Sequence, residues 1–351
     1  MTAVLMNDID LKDVAQWTPI GNGTFAATTA ASTPSGAAFE GTFDGQGYAL
    51  RNLTMEAALS GDNQAYGLFG VLKGATVKNL VLGAENGDTG SFKVSGNGVT
   101  STGVIAGASV ESTIEECTSY LPMECLGNGA SNKLMTMGLV GFVYGAGTSD
   151  ETVTKLIGLK NYGAMKAVPG AASANGFTST QAGCIAGVSN TSRTSTFRNL
   201  ITRCANYGDM TVSTGRASGI VAAANTFTVV SECENHGDML NTYGESGGGR
   251  LGNITCILGT SSAVDGCTNY GDIVATNAKT HAGGLVCLTN SADSEVVNSA
   301  NYGNVITDLA TYRGTLVANI NNGAKLDNNT AGGGVGSYNG GNYVMVQIDE
   351  T

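Results

Sequence analysis

Three aspartates raise the question of chemistry. Asp209, Asp238 and Asp272 each close the same short word, Asn-Tyr-Gly-Asp or Asn-His-Gly-Asp, one repeat apart. Carboxylates grouped on one face are what hydrolysis of a glycosidic bond requires. The same row could hold calcium or a sugar. Turn capping is the simpler use, with Asp after Gly and its side chain in water. It is favoured because like charges in register repel, and because Ala164 and Asn304 stand where the row should continue. A second group is basic: Arg193, Arg198 and Arg203, beside Thr191, Ser192 and Ser195. They could cradle an anionic sugar, although a solvated loop is the simpler account. A third group is aromatic: Tyr162, Tyr207, Tyr270 and Tyr302, with Tyr120 and His236 at the same place in their repeats. Facing outward they would form a strip for sugar rings; facing inward, a core ladder. The inward arrangement is expected, because each follows an asparagine at a bend.

No catalytic residue, metal site or cofactor emerges. His236 and His281 do not pair in sequence, and no Ser/His/Asp or Cys/His arrangement is visible. Asn7-Asp8-Ile9-Asp10 lacks the spaced loop of a calcium motif and reads as a strand end. Gly247-Gly248-Gly249-Arg250 and Gly332-Gly333-Gly334 match phosphate loops only in glycine count and read as corners.

The elements that must position these residues repeat every 30 to 45 residues. Each repeat opens on a small apolar word, such as Gly67-Leu68-Phe69-Gly70, Gly138-Leu139-Val140-Gly141, Gly219-Ile220-Val221-Ala222 or Gly284-Leu285-Val286-Cys287. The last residues of these words define one slot: Gly70, Ala106, Gly141, Ala186, Ala222, Cys256, Cys287 and Val317. A second slot reads Leu80, Cys117, Leu159, Cys204, Cys233, Cys267, Ser299 and Asn328. The Asn and Tyr positions follow it. Two or three short β-type runs per repeat, divided by Gly, Asn, Ser and Thr, exclude helical and leucine-rich repeats. The expectation is an all-β, single-stranded parallel β-helix of about eight to ten coils, rising roughly 4.8 Å per coil. The asparagines then form an internal amide ladder, and the glycine after each Tyr is expected to supply a positive φ.

The chain has 351 residues, with 52 Gly, 4 Pro, 1 Trp and a net charge of −11. Such an acidic surface argues against nucleic acid and anionic membrane as partners. No apolar run is long enough to span a bilayer, and Met1 to Asn7 lacks the basic start of a signal peptide. The chain starts almost inside a motif, as a piece of a longer protein would. The 8 cysteines carry no Cys-x-x-Cys and share slots, so free core thiols are expected in place of zinc or disulfides.

The N-terminal third carries the words Trp17-Thr18-Pro19-Ile20-Gly21, Phe39-Glu40-Gly41-Thr42-Phe43-Asp44-Gly45-Gln46-Gly47-Tyr48, Leu50-Arg51-Asn52-Leu53 and Val77-Lys78-Asn79-Leu80. This order resembles the GLUG-motif surface proteins of Bacteroides-type gut bacteria, over residues 7 to 82. The resemblance implies a right-handed, pectin-lyase-like parallel β-helix, export to the cell surface or beyond it, and adhesin-like binding.

One domain is expected: residues 1–40 as an N-terminal cap region holding Trp17, 41–330 as coils, and 331–351 as a closing strand. The leading functional expectation is an exported module that contacts glycans or surface proteins without catalysis. A polysaccharide lyase or glycoside hydrolase working through Asp209, Asp238, Asp272 or the arginines is the first alternative. A structural spacer is the second.

Overall fold

The chain winds through four parallel sheets, once per coil. A computed structural model describes all residues except 26–35, 86, 88, 97, 128–134, 169–179, 193, 214, 243–248, 277–279, 308–311, 322, 340–341 and 347–351. One coil runs through Thr113–Glu115 in sheet I, Thr118–Ser119 in sheet II, Met123–Gly127 in sheet III and Met135–Gly145 in sheet IV. It then returns to sheet I at Lys155–Ile157. Sheets I and II each contain ten strands, every pair parallel and joined to the next coil, so there are ten coils. Nine steps between them amount to roughly 43 Å of axial length. The fold is a right-handed parallel β-helix, the hand that parallel strands joined through crossovers adopt. Each full coil crosses four sheets where two or three β-type runs were expected, because the two-residue strands of sheet II are too short to show as apolar runs.

Strand alternation sends every second side chain into the lumen, where it stacks on its counterpart one coil away. The inward column of sheet III runs Met55, Phe92, Met123, Met165, Met210, Met239, Ile273, Val305 and Val335. Flexible, unbranched Met tolerates the small offset from coil to coil. Each such side chain, removed from water, contributes about 1.5–3 kcal/mol.

The second slot is in register as expected from Leu80 through Ser299, but its last member is Asn329, not Asn328. The first slot slips. The true column is Phe69, Ala106, Val140, Ala186, Val221, Thr255, Val286 and Val317, so Gly70, Gly141, Ala222, Cys256 and Cys287 fall one residue late. The cause is an irregularity within the small-residue word, where the ladder shifts register between Gly103 and Ala106. A one-residue slip moves a side chain to the other face. Cys204, Cys233 and Cys267 therefore line the lumen, whereas Cys256 and Cys287 belong to a second apolar cluster with Phe25, Val71, Phe142, Tyr144 and Val188. All eight cysteines are free and buried.

The glycine after each Tyr does not take a positive φ. A Cβ on Gly208, Gly237, Gly271 or Gly303 would collide with the carbonyl oxygen of the same glycine one coil back, so these positions require room, not handedness. Positive φ occurs instead between sheets I and II, at Asn79, Glu116, Gly158, Arg203, Glu232, Gly266, Asn298 and Asn328.

Residues 1–25 make the first coil. Thr2–Val4 pairs with Thr42–Asp44 and Ile9–Asp10 with Leu50–Arg51, while Ile20 bridges Phe69. Trp17 packs half-buried against the core and donates its indole N–H to Leu68 O at 3.2 Å. At the far end Asn342–Val346 folds back antiparallel on Val335–Asn339 and closes sheet III. Gln347 and Ile348, expected in that strand, lie outside the described residues. Among the described residues no helix is long and apolar enough to cross a membrane.

Candidate functional site

The corner between sheets II and III carries most of the residues singled out by the sequence. Each sheet II strand there ends in asparagine: Lys160–Asn161, Ala205–Asn206, Glu234–Asn235, Thr268–Asn269 and Ala300–Asn301. Alternation then points the Asn inward, the aromatic residue outward, and the Asp outward beyond the glycine.

The amide ladder forms as expected. The Nδ2 groups of Asn161, Asn206, Asn235 and Asn269 donate to Oδ1 of the next asparagine at 2.8, 2.8, 2.8 and 2.6 Å. The second N–H of each amide closes the local turn on a glycine carbonyl, as Asn235 does on Gly237 O at 2.9 Å. All five side chains are buried. Aligned amides polarise one another in such a chain, and a gap in it leaves buried polar groups unmet.

The aromatic row faces outward, which corrects the inward expectation. Tyr162, Tyr207, Tyr270 and Tyr302 are 40%, 39%, 47% and 50% exposed. The pleat decides this: when Asn points in, its neighbour must point out. From Tyr120 through Tyr162, Tyr207, His236 and Tyr270 to Tyr302 the ring centroids lie 5.0, 4.7, 4.7, 4.7 and 5.6 Å apart in stacked pairs. The faces of the inner rings are therefore covered by their neighbours. What the row offers a ligand is edges and hydroxyls. Burial, joined by the charge on Glu234 and the neighbouring Tyr162, pushes the Tyr207 phenol above its ordinary pKa and keeps it a donor at neutral pH. His236 Nε2 meets Glu234 Oε2 at 3.0 Å.

The aspartates serve the turn. Asp209 Oδ1 accepts the backbone N–H of Asp238 at 2.9 Å, Asp238 Oδ1 that of Asp272 at 2.8 Å, and Asp272 Oδ1 that of Asn304 at 2.7 Å. Each carboxylate caps the coil that follows it, and Asn304 takes over the role, accepting from Gly334 N at 3.2 Å. Asp8 at the other end does likewise, accepting from Ala49 N at 2.9 Å. That hydrogen bond, ahead of the one from Arg51, holds the Asp8 carboxyl below its usual range.

The arginines are not brought together. Arg198 precedes and Arg203 follows the extended strand Asn199–Thr202, which sets their Cα atoms about 16 Å apart. Both are exposed, and Arg193 lies outside the described residues. Among the described residues no group of three or more His, Cys, Asp or Glu side chains could hold a metal ion. A depression of about 400 Å³ lined by Ala15, Gln16, Thr54 and Glu56 shares no residue with these rows.

One column was missed. On sheet IV, Gln181 pairs with Arg216, Arg216 with Arg250, and Arg250 with His281. Their strand neighbours Ala182, Ala217, Leu251 and Ala282 lie in the lumen cluster, so the four polar side chains point to the outside of the sheet. Tyr312 completes the column, its ring edge-on to His281 at 4.9 Å. The usable signal was a polar or basic residue two positions before a Gly or Ser at the end of the same strand: Gly183, Ser218, Gly252 and Gly283.

No family model matches the chain, and no curated protein does. A crystal structure of a candidate immunoglobulin A1 protease from Bacteroides ovatus is similar to it with a TM-score of 0.48 and 13% identity, over 92% of this chain and 77% of that one. The strand order, independently of that likeness, defines the class: a ten-coil parallel β-helix.

Proposed function

We propose that the chain is an exported surface-binding module that recognises an extended ligand, a glycan before a protein, along the corner between sheets II and III. The observation that supports this is the outward aromatic row beside the carboxylate row. A ligand laid along the axis meets a hydroxyl or imidazole edge at each of six coils and a carboxylate at the three that carry Asp209, Asp238 and Asp272. Because the faces are covered, recognition runs through hydrogen bonds at the ring edges. The words shared with GLUG-motif surface proteins support the cell-surface setting.

A glycan array on the folded chain tests the reading. Binding to one family of extended saccharides is expected. The double substitution Tyr207→Phe and Tyr270→Phe keeps the stack and removes two hydroxyls, and should weaken that binding about fivefold or more, at about 0.5–1.5 kcal/mol per hydrogen bond. An empty array, or affinity indifferent to the lost hydroxyls, would refute it.

A further inference from the structure

The column on the outside of sheet IV sets a cation beside a buried amide oxygen that has no partner. Several cations elsewhere sit beside carboxylates: Arg51 by Asp8 at 2.6 Å, Lys155 by Asp150 at 2.6 Å, and Lys166 by Glu124 at 2.8 Å. Arg216 has no such neighbour among the described residues. The nearest charge in its column is another cation, Arg250, one coil away. Beside it on the other flank stands Gln181, 7% exposed, whose buried Oε1 has no hydrogen-bond partner. Burial, reinforced by Arg250, lowers the pKa of the Arg216 guanidinium, as expected for a cation in want of a counter-charge.

Two adjacent, poorly hydrated polar side chains without partners are rare in folded proteins and call for a reason. A guanidinium retained there in preference to an apolar residue is costly unless something anionic meets it. Arg presents a planar fork of N–H donors that matches an oxyanion. The geometry points to an oxyanion-binding site on the outer face of sheet IV. Arg216 takes a sulfate, phosphate or carboxylate group through paired N–H donors, the Gln181 amide supplies a further N–H, and His281, held by Tyr312, borders the far side. Gln181 Oε1 holds no hydrogen bond, so a half-turn of the amide breaks none there and brings its NH₂ toward the anion. The site lies on a different sheet from the aromatic corner and stands or falls independently of it.

Calorimetric titration of the full chain at constant ionic strength tests the assignment, with sodium sulfate, sodium phosphate and a galacturonate trisaccharide as probes. Saturable binding of at least one probe is expected. Arg216→Gln should weaken it about ten- to a hundredfold and Gln181→Leu about threefold to tenfold, while Lys166→Gln, on sheet III, leaves it unchanged. Equal affinity for free anion and saccharide makes the anion itself the ligand. Preference for the trisaccharide makes it an acidic sugar. Absence of saturable binding by all three probes overturns the proposal. So does binding that persists unaltered in both site variants with the far-ultraviolet dichroism of the parent. If Arg216→Gln does not fold, Gln181→Leu decides alone.

Discussion

The corner between sheets II and III and the outer face of sheet IV are built on the same coils by opposite rules. At the corner, one residue type fills each column: Asn on Asn, ring on ring, Asp capping the next Asp. The inward groups meet their own kind, with Asn161 Oδ1 at the end of the ladder left over, and only the outer edges of the rings and carboxylates are left to solvent. On sheet IV the column varies along its length, from Gln181 through two arginines, Arg216 and Arg250, to His281 and Tyr312, and Gln181 and Arg216 find no complement in each other. In a solenoid, repetition lets a side chain be satisfied within the stack. Departure from repetition leaves chemistry for something outside it.

The comparison is broken first by cutting the ladder. Asn235→Ala strands the Nδ2 of Asn206 and the Oδ1 of Asn269, both buried, along with the carbonyl of Gly237. At about 1–3 kcal/mol for each unmet group, a loss of about 3–5 kcal/mol is expected in a denaturant melt. A loss under 1 kcal/mol would mean that the stack relaxes around gaps and that its regularity is ornamental. Gly237→Ala comes next. Its methyl would meet the Gly208 carbonyl of the previous coil, and forcing the coils apart there should cost about 1–3 kcal/mol. A third cut is milder. Tyr270→Ala removes two stacked contacts from a half-exposed row, for about 1–2 kcal/mol by the same melt.

The contrast also explains what could be read from the sequence. The columns Cys204, Cys233, Cys267 and Asn206, Asn235, Asn269 announce themselves, because identity at a fixed offset needs no knowledge of geometry. A stack of about eight to ten coils and an amide ladder follow directly. The direction of the tyrosines was not legible by that means: a column of identical residues looks the same whether it faces the lumen or the solvent, and only the pleat beside a known inward Asn settles it. The slip at Cys256 and Cys287 has a similar origin, since aligning words by their glycines ignores the irregularity those glycines accommodate. The Arg216 column was overlooked because its five members share only polarity at one offset, with two arginines the only repeated residue. The residues flagged for chemistry, Asp209, Asp238 and Asp272, were conspicuous because they recur, and each uses one carboxylate oxygen to cap the next coil.

Acid should weaken the corners before the sheets. Asp293 accepts from Ser261 Oγ at 2.5 Å and from Ser261 N at 3.1 Å, and these bonds with that from Ser291 hold its carboxyl down to about 2. Asp8, Asp10 and Asp44 are lowered by hydrogen bonds of the same kind. A depressed folded-state pKa gives stability that is full above the unfolded value, near 4, and lost as pH falls through the folded one. Stability should therefore decline between roughly pH 4 and pH 2. Asp293→Asn should flatten part of that decline, and an unchanged acid melt would show that these caps add nothing.

The smallest effect on stability is expected at the residue with the most chemical promise. Arg216→Met keeps much of the side-chain length and removes a buried charge that no described carboxylate balances. Truncating a paired buried cation is strongly destabilising, because the partner is left behind, whereas replacing an uncompensated one by an apolar side chain is neutral or favourable. A change between no loss and a gain of about 1–2 kcal/mol is expected, against several lost at Asn235. Groups kept at the expense of stability are those that serve something other than the fold. A loss of about 3 kcal/mol or more at Arg216 would place its partner inside the protein, make sheet IV as self-satisfied as the corner, and remove the distinction on which the oxyanion site depends.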